Sequence, residues 1–344
     1  MRRRFRALAV VSIALVSWLL VRARHRAAAV PLSPVTAGRY VGPDFPERAG
    51  LTTGEAPDGE MDDMAHYARP DFDPERVHPA IRDFYEETAA YRMTGTVTWH
   101  RGFRLGAALA ARLTSAIEQL NLPGPFESST IALESRFATI RAGVDPREDV
   151  RAWVRTNPET DEAVFVALYG SHTGESDASS SRIAHERFVN GAGPDGSAGS
   201  RNAERFVNDA ARGSAGSRTA TERYVNVAVP IPWGNVSTAL HIAHAGGDPD
   251  ATGIDLTTRA GELSGLYLVT PLSAFALPVE QRFAVRPDKG ANHPADGDAT
   301  EARNEAGIVA TQTMRLCGVP FLTIEYDAVR DDATAAVDDA PSDQ

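Results

Sequence analysis

The 344 residues are 42% apolar, enough for one large or two ordinary domains with a real core. The 46 acidic residues outnumber 35 basic ones, a net charge of -11 that argues against a general nucleic-acid binder. Cys317 is the sole cysteine, which excludes an intrachain disulfide and a thiolate metal cluster; at the end of an apolar strand it reads as a small core residue.

Ala7 to Val21 is an unbroken low-polarity run with arginines against both ends. Residues 1–29 read as a membrane anchor or signal-like segment, and the chain's expected place is a membrane, held by a single-pass N-terminal helix through residues 7–21. Two alternatives stand beside this. Arg2-Arg3-Arg4-Phe5 and Ala27-Ala28-Ala29 suit a cleavable export signal, and a true start near Met61 or Met64 would leave a cytoplasmic protein. Arginines on both sides leave the orientation open.

Residues 30–75 hold seven prolines and no hydrophobic period, the pattern of a Pro/acidic linker. From Pro79, the residues Ile81, Phe84, Tyr85 and Thr88 make one stripe of a short helix that packs inward. Met93 to Trp99 is β-prone. A second helix is expected from about Phe103 to Leu120, with Leu105, Leu109, Leu113 and Ile117 at four-residue spacing as its core face. The opening of this folded part, HPAIRDFYEETAAYR, followed by the helix and then strands, resembles uncharacterised prokaryotic proteins with no assigned activity. Among the basic residues only Lys289 is a lysine, and this acidic, almost lysine-free balance is similar to that of proteins from salt-loving archaea; a GC-rich genome would produce the same bias.

From residue 127 onward the pattern is strands. The clearest hairpin lies within Glu222 to Ala245, where Val225, Val227, Val229 and Ile231 share one face. Pro232-Trp233-Gly234-Asn235 supplies the turn, and Val236, Thr238, Leu240, Ile242 and His244 share a face on the return. Ala163 to Tyr169 is apolar on both faces, as in a strand covered on both sides. In the last strand Leu322, Ile324 and Tyr326 face the core, with Thr323, Glu325 and Asp327 on the wet side. Two helices before a long run of strands predict an α+β fold: a curved antiparallel sheet or incomplete barrel with two N-terminal helices packed on it, preceded by a single hydrophobic helix. The expected organisation is one domain over 76–330, interrupted by a disordered repeat loop at 173–221 and followed by an acidic disordered tail at 331–344.

Chemical motifs are sparse. His241 and His244 are three apart on a strand and point to opposite faces, which breaks an H-x-x-H metal pair. Asp248, Asp250 and Asp255 lack the spacing of a calcium loop. Gly170-Ser171-His172-Thr173-Gly174 is the nearest approach to a nucleophile elbow, so Ser171, His172 and His244 are the candidate catalytic residues of a hydrolase reading. Glu134 and Glu325 would form an acid/base pair if the sheet joined them. No phosphate loop, cofactor motif or metal cluster stands out. The favoured expectation is a membrane-anchored protein binding a hydrophobic, lipid-like small molecule in a sheet-formed cavity, with Tyr224, Trp233, Tyr267 and Tyr326 as lining candidates. A hydrolase and a structural membrane-associated partner protein are the alternatives.

Overall fold

The computed structural model describes residues 2–126, 130–177, 219–248, 251–288 and 307–331. Four α-helices are present among them: α1 (Arg2–Ala28), α2 (Phe45–Arg48), α3 (Pro79–Glu86) and α4 (Arg104–Ala116). The strands are β1 (Tyr91–Trp99), β2 (Thr130–Thr139), β3 (Glu148–Asn157), β4 (Glu162–Asp177), β5 (Thr219–Ile231) and β6 (Gly234–His244). They continue as β7 (Ile254–Thr257), β8 (Gly265–Val269), β9 (Ala274–Ala276), β10 (Val279–Pro287), β11 (Ile308–Leu316) and β12 (Val319–Arg330).

The sheet order β5-β4-β3-β2-β1-β12-β11-β10-β7-β6 returns to β5 through a β5–β6 pairing, so ten antiparallel strands close into a barrel. This corrects the open curved sheet or incomplete barrel expected from the sequence. Closure depends on β6. One of its edges pairs with β5, while the other holds β7 through His241–His244 and β8 through Asn235–Ala239. The short β7 joins β10 and completes the ring; β8 and β9 peel away outside it. A closed ring leaves no long unpaired edge on its ten members.

Alternation then fixes what faces inward. Val225, Val227 and Val229 on β5, and Val236, Leu240 and Ile242 on β6, pack in the main core as the hairpin pattern required. On β4, Ala167 and Tyr169 face that core, while Val166 and Leu168 belong to a second cluster on the barrel's outer side. Val35, Ala37, Val41 and Phe45 cover that outer side. The stretch expected as an extended linker is therefore packed structure over much of its length, and Met61, Met64, Tyr67 and Phe72 from it are buried too. Its prolines and glycines break periodicity without preventing burial.

The helices do not lie along a sheet face. α3 keeps its predicted stripe, burying Ile81, Phe84 and Tyr85, and together with residues 58–77 it stoppers one end of the barrel. Gly59 permits this. A Cβ there would sit 2.3 Å from the Glu86 carbonyl oxygen, so only glycine lets residues 58–62 pass over the last turn of α3. α4 crosses the opposite end, against Trp99 and the β11–β12 hairpin.

Cys317 is exposed at the β11–β12 turn and is not a core residue. Arginines bracket the apolar run of α1 closely, and among the described residues no helix is long and apolar enough to cross a membrane. Residues 7–21 do lie in a helix, α1, but that helix falls short of the single-pass span expected of them. Most of the repeat loop expected at 173–221 lies outside the described residues, although β4 runs on to Asp177 and β5 begins at Thr219. The expected tail at 331–344 lies outside them from residue 332.

Candidate ligand-binding cavity

Ten strands enclose more space than their inward side chains fill, since about eight is the number at which side chains just close an interior. The surplus is a cavity of about 330 Å³ beneath α4, inside the size range of small-molecule sites. Its walls are mainly apolar, with Val97, Val229, Val236, Leu240, Leu266 and Leu322 among them. The small residues Ala107, Ala110, Ala111 and Thr114 of α4 form its roof.

That roof reverses the expected orientation of the helix. Leu105, Leu109 and Leu113 face outward and are 82%, 73% and 62% exposed, while Ala107 is buried. An alanine face lets the helix approach the barrel rim without filling the space below. Gln119, just after the helix, secures this arrangement: its side-chain amide donates to the carbonyls of Val166 and Pro230, both at 2.8 Å, and its Oε1 accepts from Val166 N at 3.0 Å. A side chain thus stands in for a backbone strand at the β4–β5 margin.

A few polar groups interrupt the apolar wall, on β3, β12, β11, β10 and β6. Arg155 of β3 is buried with its guanidinium carbon 4.1 Å from the Trp153 ring centre and 5.6 Å from that of Tyr326. Glu60, delivered by the segment after Gly59, lies 3.8 Å from Arg155. Burial pushes the Glu60 carboxyl up to about 7, with Arg155 and Arg151 pulling the other way. Tyr326 donates its hydroxyl to Gln312 Oε1 at 2.9 Å. Thr238 donates to Gln281 Oε1 at 3.3 Å, which bridges β6 and β10 near the mouth, beyond the end of β7.

Of the four aromatic residues expected to line such a cavity, Tyr326 does so. Tyr224 is fully buried on the outer face of β5, stacked on His172 at 5.0 Å. Tyr267 is buried beside Ala27 and Ala239 in a cluster outside the ring. Trp233 is 81% exposed at the tip of the β5–β6 turn, where φ is +69°. Sequence reading missed Arg155, Trp153 and Gln312. The signal was present in Arg151-Ala152-Trp153-Val154-Arg155, whose alternation puts two arginines and a tryptophan on one face.

The candidate catalytic residues have separate partners. Ser171 Oγ accepts from Arg223 Nε at 3.0 Å, whereas His172 Nδ1 meets Asn226 Oδ1 at 2.9 Å. As neighbours on β4 they project to opposite faces. Burial, aided by the Arg147 charge, lowers the His172 imidazole to about 4, so it is neutral at ordinary pH. His244 Nε2 accepts from Asp73 N at 3.0 Å, and its ring lies 4.8 Å from Phe72. It fastens the stopper to β6. Glu134 and Glu325 are both exposed on the outer surface. Asp255 is paired with Arg282 at 2.7 Å and Arg286 at 2.9 Å; Asp250 lies outside the described residues. Among the described residues no group of three or more His, Cys, Asp or Glu side chains is placed to hold a metal.

The chain is 26% identical over 322 residues to a Bacillus subtilis (strain 168) protein named "Uncharacterized membrane protein YndJ". The match takes in 93% of this chain and 47% of that protein, so the chain spans about half the length of its curated relative. No protein-family model matches the chain, and no solved structure matches it.

Proposed function

We propose that this protein is a membrane-associated barrel that takes up one hydrophobic, lipid-like molecule in the cavity under α4. The cavity itself carries the reading: it is enclosed by a closed sheet, apolar on most of its wall, and roofed by a helix whose inner face is small side chains. Its volume suits one chain and not the two of a diacyl lipid.

The distribution of exposed apolar side chains supports the membrane half of the reading. Outside α1, the large ones among the described residues are Leu105, Leu109 and Leu113 on α4, with Tyr40, Phe126, Trp233, Leu272, Leu316, Val319 and Val329 elsewhere. All but Val329 belong to α4, to turns at the same barrel end, or to the chain beside α4. Scattered exposed apolar residues are ordinary, but such a concentration at one end marks a contact surface. The exposed arginines Arg101, Arg104 and Arg112 accompany the leucine row, and residues 99–117 hold no acid, which suits an anionic bilayer. The apolar run at residues 7–21 would add to the same attachment, and the Bacillus relative, by its name a membrane protein, agrees with that setting. The hydrolase alternative has no observation in its favour, given the separate partners of Ser171, His172 and His244.

The test is uptake of Nile red, a neutral apolar dye, by the delipidated full-length protein. Saturable binding of one dye per chain is expected, and Ala110→Trp or Ala111→Trp should reduce it at least tenfold by filling the roof. Dye binding untouched by either variant, with both folded, places the dye outside the cavity and ends the reading.

A further inference from the structure

We infer that the occupant carries a single carboxylate head on its chain, and that Arg155 receives that head. The inference rests on the reading of the cavity as a lipid-like site and goes on to name the ligand class.

Three buried arginines belong to β3 or stand just before it, and their partners differ. Arg147 is bound twice by Asp145, at 2.8 Å each time, and donates to the carbonyls of Leu168 and Asn226. Arg151 donates to the Gly59 carbonyl at 2.9 Å and to Asp62 Oδ1 at 2.8 Å. Arg155 has no contact of that quality. Its Nε reaches Ser135 Oγ at 3.4 Å, its Nη2 reaches the Met93 sulfur at 3.4 Å, and Glu60 stands 3.8 Å away. Yet Arg155 is the one of the three that lines the cavity.

A guanidinium has five N–H donors in a fixed fork, and burying it without strong acceptors is costly. A carboxylate in the cavity supplies two oxygens in the geometry the fork matches. Trp153 and Tyr326 hold the guanidinium from their ring faces, and Gln312, tied to the Tyr326 hydroxyl, adds an amide on the same side. Apart from Thr238 and Gln281, which bond each other near the mouth, and Thr114 in the roof, the rest of the wall is apolar, so the head lies at Arg155 with the chain running toward α4. One cation suits a monoanion; a phosphate monoester would bring nearly two charges to it. Glu60 is the competitor for Arg155, and its distance leaves the guanidinium open to a better-placed carboxylate.

The experiment displaces Nile red from the full-length protein with myristic acid or with methyl myristate, which differ only in the head. The acid is expected to bind at least tenfold more tightly. Arg155→Met should abolish that preference, acid and ester then binding alike, and Glu60→Gln should retain or increase it. If Arg155→Met leaves Glu60 stranded and the protein does not fold, the double variant Arg155→Met/Glu60→Gln removes both charges and serves in its place. Equal affinity of acid and ester in the unaltered protein, or a preference that survives loss of Arg155, overturns the inference while the apolar cavity stands. Displacement by neither compound counts against the cavity reading itself.

Discussion

Glu60 and Arg155 meet inside the barrel because Gly59 lets the preceding turn run over the end of α3. The Glu60 carboxyl is held up to about 7, well above its ordinary value near 4.5, because burial outweighs the two nearby arginines. A carboxyl raised in the folded state binds its proton more tightly there than in the unfolded chain. Its stabilising contribution is therefore present below pH 4.5 and is lost as pH rises through 7. The expected loss is roughly 3 kcal/mol. Urea unfolding of the native protein and of Glu60→Gln at pH 5 and pH 8 should show the native protein losing ground against the variant by that order. A constant difference would contradict the assignment. Trp233 is the second informative residue. A bulky side chain at φ +69° in a two-residue turn costs roughly 1 kcal/mol, and among the described residues Trp233 is 81% exposed. Trp233→Gly should leave the thermal midpoint unchanged or slightly raised while reducing retention on anionic vesicles severalfold. A marked fall in midpoint would mean that the ring has a folding role instead.

At the scale of elements, α4 is where sequence and structure part most clearly. Four-residue leucine spacing defines one apolar face correctly, but periodicity does not say whether that face meets the core. Here the alanine face covers a cavity, so the row that reads as core lies outside. Replacing Leu105, Leu109 and Leu113 by Gln should barely change stability, since those side chains bury little on folding. The same variant should lose most of its flotation with phosphatidylglycerol vesicles. A large drop in thermal midpoint with unchanged flotation would assign the row to intramolecular packing. The α3 stripe and most strand faces, by contrast, are legible from alternation and periodicity, because each contributing residue is local to its element. The buried parts of residues 30–75 are irregular chain, where burial leaves no period to read. Arg155 was legible by alternation alone, yet a basic residue is ordinarily assigned to the wet face of a strand.

For the whole molecule, closure was beyond what sequence pattern carries. Alternation tells which residues share a face, whereas ring formation depends on pairings such as Met93 with Ala328, far apart in the chain. The ring matters for the proposed function, because a closed sheet of ten strands leaves a cavity that an open one would not. The net charge of -11 also acts at this scale. Unscreened repulsion among the acids should lower the thermal midpoint in dilute buffer relative to molar salt; equal midpoints would remove any dependence on salt. The central claim, a barrel holding a lipid-like occupant, is met most directly by native mass spectrometry of the full chain purified from its own host. A reproducible added mass, one per chain, that extracts into organic solvent and is absent from Ala110→Trp is expected. A bare protein mass for the native chain under conditions that preserve the fold would contradict it.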